Sequence, residues 1–204
     1  MPLARIADKL LFFAHIPKTG GSSVEAYLDA KGPVALRFRR RLGWSKTTAQ
    51  HMDARVHTKL VPDGFFDESF AVLRDPVARM VSEYRYRLDR FDGQRSFEDW
   101  VRAAFDAYRR DGHVYDNHIR PQAEFLRPGM VLFRLEMGLE PVFDWIDAIT
   151  GTAPAPREIW EKRSVAAQVD VTDAIRDEIN GFYAADFTVL DAMPENGRAL
   201  DPAA

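Results

Sequence analysis

The sequence predicts an α/β protein of three layers, with a mostly parallel central sheet flanked by helices. Three observations carry this. Apolar runs at residues 9–15, 70–73 and 130–134 have the length and composition of buried strands. Each is followed by a turn and then by apolar residues at helical spacing. Strands that alternate with helices in this way build parallel sheets, since parallel neighbours need a crossover.

Composition sets outer bounds. A chain of 204 residues, 46% hydrophobic and 29% charged, suits one soluble globular domain. A formal charge of -3 and a pI near 6.0 argue against a generally nucleic-acid-binding surface. With no cysteine, disulfides, thiolate chemistry and cysteine metal sites are excluded, and a cytoplasmic location is expected. The apolar run near the N-terminus is short and closes on Pro17 and Lys18, so it reads as a strand rather than a signal peptide. No stretch approaches the length of a membrane span.

The first unit is the most informative. The strand ends in His15-Ile16-Pro17-Lys18-Thr19, followed by Gly20-Gly21-Ser22-Ser23 and a helix expected over 22–30, stopping near Gly32-Pro33. Strand, glycine turn and helix form the skeleton of a P-loop-like anion site. The first helical turn has unpaired N–H groups, and the helix dipole adds positive potential there. Gly20 and Gly21 let the backbone approach an anion, Lys18 adds a point charge, and Thr19, Ser22 and Ser23 offer hydroxyls. This is not a Walker A loop, in which the lysine follows the last glycine.

HIPKTGGSS resembles the 5'-phosphosulfate loop of sulfotransferases that use 3'-phosphoadenosine 5'-phosphosulfate (PAPS). It is most similar to the version in carbohydrate sulfotransferases of the heparan sulfate 2-O-sulfotransferase type and their bacterial relatives. The resemblance implies that Lys18, Thr19, Gly20, Gly21, Ser22 and Ser23 hold the 5'-phosphosulfate, and that residues 1–204 form one sulfotransferase domain.

Residues 31–47 carry six basic residues and no acid, with Phe38 and Trp44 interleaved. Arg39 and Arg41 there are candidate contacts for an anionic or sugar acceptor, against the plainer reading of a solvated basic linker. His51 and His57 stand six apart and do not share a helical face, which gives metal ligation little support. Histidine has the intrinsic pKa for a base that accepts a hydroxyl proton, and the family resemblance points to His51.

The run at 70–73 ends at Arg74, followed by Asp75 and by Pro76, suited to a first helical turn. Val77, Met80, Val81 and Tyr84 form that helix's apolar stripe. RDPVARMVSEY resembles the family's 3'-phosphate motif, which implies that Arg74 and Ser82 hold that phosphate. Residues 85–112 read as a helical hairpin, with Ser96 and Asp99 as a loose capping box.

The stretch 116–126, DNHIRPQAEFL, concentrates polar side chains around Pro121. By resemblance it lines the cleft. His118 is then a second catalytic candidate, steadying sulfuryl oxygens or serving as the base in place of His51, and Arg120 and Gln122 are candidate acceptor contacts. A polar turn satisfying its own carbonyls is the plainer alternative.

After the strand at 130–134 come Glu136, in the family's acidic position, and an amphipathic helix through Val142, Trp145, Ile146 and Ile149. Relatives close a polar loop over the nucleotide; Arg163 and Ser164 fall in that place. A last helix is expected over 171–190, with Tyr183 and Asp186 matching the family's terminus, and residues 191–204 should form a flexible tail.

The resemblance implies transfer of a sulfuryl group from PAPS to a hydroxyl acceptor, a carbohydrate or sugar-containing metabolite. It requires no metal, and neither a nucleic-acid partner nor a membrane span is expected. Two other classes stay open: a P-loop nucleotide kinase or phosphotransferase, marked by magnesium dependence, and a non-catalytic module that binds PAPS or a sulfated glycan without turnover.

Overall fold

The computed structural model describes residues 1–37, 40–88, 95–157 and 169–194, and 198–200 as backbone. Six strands form one sheet in the order β3-β1-β2-β4-β5-β6. They are β1 (Leu3–Ile6), β2 (Lys9–Ala14), β3 (Val34–Ala35), β4 (Glu68–Leu73), β5 (Val131–Arg134) and β6 (Arg198–Leu200). The expectation of a mostly parallel sheet is corrected. β2 pairs in parallel with β4, and β4 with β5, but β1–β2, β1–β3 and β5–β6 are antiparallel. The three parallel strands are those whose apolar runs stand out in the sequence. β1 escapes notice because it is four residues long and joined to β2 by a two-residue turn, a connection that only an antiparallel pair can make.

Alternation along the central strands divides the core by face. Phe13, Phe70 and Phe133 meet α1 (Gly21–Lys31) and α5 (Glu140–Thr150) through Tyr27, Phe143 and Trp145. Phe12, Ala71 and Leu132 point to the opposite layer, which holds Met52, Phe125 and Leu190. That layer includes α2 (Ala54–Leu60) and α7 (Ala184–Ala192). A third cluster, centred on Trp100 and Tyr183, joins α3 (Pro76–Arg87), α4 (Phe97–Arg110) and α6 (Asp173–Phe182).

Several boundaries repay attention. The capping box is present: Ser96 Oγ accepts from the Asp99 N–H at 3.1 Å and donates to the Asp99 carboxylate at 2.7 Å. The single last helix expected over 171–190 is two helices, broken at Tyr183. The Tyr183 ring is buried and its hydroxyl donates to the Ile119 carbonyl at 2.7 Å. Asp186, also buried, accepts from the Ala123 N–H at 2.9 Å. Both residues anchor the 119–125 segment. Within the stretch 191–204, expected as a flexible tail, residues 198–200 pair with β5 as an edge strand.

Candidate active site

The site lies at the C-terminal ends of β2 and β4, where ligands sit in open α/β sheets. Lys18 takes a left-handed backbone, φ 69°, and Gly20 does the same at φ 82° as it opens α1. No side chain caps that helix start, and the Ser23 N–H donates to the Gly20 carbonyl at 3.0 Å. The two glycines differ in purpose. Gly20 supplies the left-handed turn, whereas a Cβ on Gly21 would stand 2.1 Å from His15 Nε2. Gly21 therefore makes room for the His15 ring. Thr19 is buried and its hydroxyl donates to the Ile16 carbonyl at 2.9 Å. Ser22 is half-buried and Ser23 buried.

Arg74 brings the second motif to the first. Its guanidinium Nη1 donates to the Lys18 carbonyl at 3.2 Å. Its own backbone is clasped by Gln122: the Arg74 N–H donates to Gln122 Oε1 at 3.0 Å, and Gln122 Nε2 donates to the Arg74 carbonyl at 2.8 Å. Asp75 caps α3 by accepting from the Ala78 N–H at 2.7 Å, and its own N–H donates to Glu136 at 2.8 Å. Lys18 Nζ lies 4.3 Å from the centre of the Tyr86 ring, which is close enough for a cation–π contact. Tyr86 and Ser82 are four apart on α3 and share a face.

Beside this lysine loop stand three imidazoles. The ring centres of His15 and His51 are 5.0 Å apart, as are those of His51 and His118, each pair edge to face. Each ring has its Nδ1 against a different carboxylate: His15 on Glu25 at 2.6 Å, His51 on Asp116 at 2.7 Å, and His118 on Glu83 at 2.7 Å. An ionised carboxylate only accepts, so Nδ1 carries a proton in each dyad; in the neutral rings of His15 and His51 the lone pair therefore sits on Nε2. Burial holds His51 well below the ordinary histidine range, at about 3, with Asp116 opposing the shift and His118 and His15 adding to it. Burial likewise lowers His15, against the pull of Glu25. Burial would raise the Glu83 carboxyl, yet His118, Arg87 and Lys18 outweigh it and bring it down to about 2.

His57 is elsewhere. It is buried, its Nε2 lies 3.0 Å from the Phe125 carbonyl, and burial lowers it to about 4.

Arg120 and Gln122, expected as acceptor contacts, are both buried. Arg120 donates to Asn117 Oδ1 at 3.0 Å and to the Gly112 carbonyl at 2.8 Å, and pairs with Glu124. Gln122 bonds the backbone of Arg74. Arg41 is exposed and forms an isolated bridge with Thr48, which ties the basic stretch to the turn carrying His51. Arg39, Arg163 and Ser164 lie outside the described residues. Sequence reasoning missed His15, Glu25, Glu83, Tyr86 and Asp116; only Asp116 carried a signal, as part of the polar cluster before Pro121.

His51, Asp116 and His118 hold possible metal-ligand atoms within 4.8 Å of one another. The fit is poor. Asp116 already accepts from the Thr48 N–H at 2.6 Å, the Thr48 hydroxyl at 2.7 Å and His51, so its entry into a coordination sphere would dismantle those bonds. Among the described residues no helix is long and apolar enough to cross a membrane.

A family model described as "Sulfotransferase family" matches residues 5–191. No curated protein and no solved structure matches the chain.

Proposed function

The chain belongs to the sulfotransferase family, and from that premise we propose that it moves the sulfuryl group of PAPS to a hydroxyl acceptor, with His51 as the base. The observation that carries this reading is the meeting of three parts at one sheet end: the Lys18 loop on α1, Arg74 bonded to that loop, and a neutral imidazole with its Nε2 lone pair free of the carboxylate.

The amides of residues 19–23 and Lys18 hold the 5'-phosphosulfate. Arg74 and Ser82 take the 3'-phosphate, the fork supplying paired charge-assisted bonds. The acceptor oxygen attacks sulfur in line. The new O–S bond forms as the bond between sulfur and the bridging oxygen breaks, and the hydroxyl proton passes to His51 Nε2. Negative charge grows on the bridging oxygen, where Lys18 meets it. The leaving group is 3'-phosphoadenosine 5'-phosphate. His118, the next imidazole in the row, steadies the sulfuryl oxygens when its Nε2 carries a proton. Phosphate and sulfuryl charge are met by lysine, arginine and amides, so the reaction as drawn uses no metal. A carbohydrate or sugar-containing acceptor is favoured by the exposed basic stretch around Arg41 and by Trp44, 67% exposed beside it.

The test is calorimetry with 3'-phosphoadenosine 5'-phosphate and with AMP, without magnesium. Tight binding of the bisphosphate and weak binding of AMP are expected, with turnover from PAPS abolished in Lys18→Ala. Equal or absent binding of both ligands would sink the assignment, and strict magnesium dependence would favour a phosphotransferase.

A further inference from the structure

Asp116 and the backbone around it have features that the transfer reaction as drawn does not use. Tyr115, Asp116 and Asn117 have φ of 55°, 61° and 65°. Three successive residues with side chains in the left-handed region are rare, because the Cβ crowds the next carbonyl. Such a turn persists only where its surroundings over-determine it, and that condition clusters at functional sites. Here the surroundings are explicit. The Arg87 guanidinium lies 3.7 Å from the centre of the Tyr115 ring. Asn117 is fully buried and receives the Arg120 Nε–H on its Oδ1.

What the turn holds is His51, from two sides. Asn117 Nδ2 donates to the His51 backbone carbonyl at 2.8 Å, and Asp116 takes the ring Nδ1–H. The remaining bonds to Asp116 come from Thr48, a neutral residue three positions before His51. Glu83, by contrast, shares its charge between His118 and Arg87. Of these two carboxylates, only that of Asp116 has no cation other than its imidazole as a hydrogen-bond partner.

We propose that Asp116, presented by the left-handed turn 115–117, is the positioning residue that fixes His51 in the tautomer with Nδ1 protonated and compensates the imidazolium formed when Nε2 takes the acceptor's proton. The inference rests on His51 being the base. The carboxylate makes no contact with the reacting atoms; it works by holding the ring's orientation and by its charge.

Asp116→Asn keeps the size and the ability to accept from Thr48. Its amide then donates to Nδ1 and forces the proton onto Nε2, where no lone pair remains. The expected result is a kcat reduced about 100-fold or more. Affinity for 3'-phosphoadenosine 5'-phosphate should stay within about twofold, because the bonds of Asp116 run to Thr48 and His51. Asp116→Glu should recover part of kcat. An activity-independent readout is ¹⁵N NMR of the His51 ring, expected to show Nδ1 protonated in the parent and Nε2 protonated in Asp116→Asn. An unchanged tautomer, or unchanged kcat in Asp116→Asn where His51→Ala is inactive, overturns the role of Asp116. Full turnover by His51→Ala overturns instead the reading of His51 as base, and the NMR result then judges the tautomer claim on its own.

Discussion

Gln122 offers the sharpest test of how the two proposed phosphate motifs are joined, because its side chain bonds both the N–H and the carbonyl of Arg74. Replacing it with methionine keeps most of the volume and removes both hydrogen bonds. The Arg74 N–H and carbonyl then lose these partners at a half-buried position. An orphaned buried donor or acceptor costs about 1–3 kcal/mol, and partial exposure puts these two at the low end, so Gln122→Met should destabilise by about 2 kcal/mol. For a chain of this size each kcal/mol lowers Tm by about 2–4 °C, so a drop of about 6 °C is expected. The functional consequence is selective. Arg74 no longer holds its place against the Lys18 carbonyl, and a charge-assisted phosphate contact is worth about 1.5–3 kcal/mol. Affinity for 3'-phosphoadenosine 5'-phosphate should fall about tenfold or more, with little change for AMP. Urea unfolding and calorimetric titration of the two nucleotides measure both effects. If the variant kept its nucleotide affinity and instead raised KM for the acceptor alone, Gln122 would be an acceptor contact and the clasp argument would be refuted.

Two further outcomes follow from buried histidines. The folded-state pKa of His57 is depressed to about 4, so folding favours its neutral form. The stability this contributes is intact above the unfolded value of about 6.5 and is lost as pH falls from there to about 4, at most about 3 kcal/mol. Urea unfolding across that window should show a shallower acid limb in His57→Gln, although His15 and His51 titrate in the same direction; an unchanged slope would mean that His57 is not held neutral. Gly21→Ala should drive a Cβ into the His15 ring and cost about 1–3 kcal/mol, while Gly43→Ala, with open space around it, stays within about 0.5 kcal/mol. Equal unfolding midpoints for the two variants would show that the ring yields without cost.

The parts of this molecule that were legible in the sequence are those with local causes. The parallel strands β2, β4 and β5 announce themselves as apolar runs, and α1 follows from Gly-Gly and its serines. The Ser96 cap needs only its own turn. What stayed hidden depends on partners far along the chain. Nothing local marks Glu25, yet it accepts from His15 and, at 2.7 Å, from Gln50 on the turn before His51. Gln122 and Arg120 look like cleft residues because polar side chains beside a proline suggest a loop. Only their burial, set by Arg74 and by Asn117, shows them to be internal supports. The left-handed turn at 115–117 has no glycine to announce it, and β1 and β6 are too short to stand out.

The three imidazole–carboxylate pairs raise an electrostatic question that the anion loop alone does not answer. Glu25, Asp116 and Glu83 place negative charge beside a loop built to receive a polyanion. Taken singly, each would oppose binding. Their pairing with imidazoles alters the balance. A dyad with a neutral ring has a net charge of -1, and one proton on Nε2 brings it to zero without moving a heavy atom. Burial keeps His15 and His51 neutral in the absence of ligand, which costs less than an uncompensated buried imidazolium. With His51 as the proposed base, the charge of its own dyad is removed by the same proton that the acceptor gives up. On this view the Asp116 carboxylate is not at odds with the lysine loop. It lets the His51–Asp116 dyad be negative at rest and neutral once the transferred proton has arrived, which biases the site towards the state that follows bond formation over the one that precedes it.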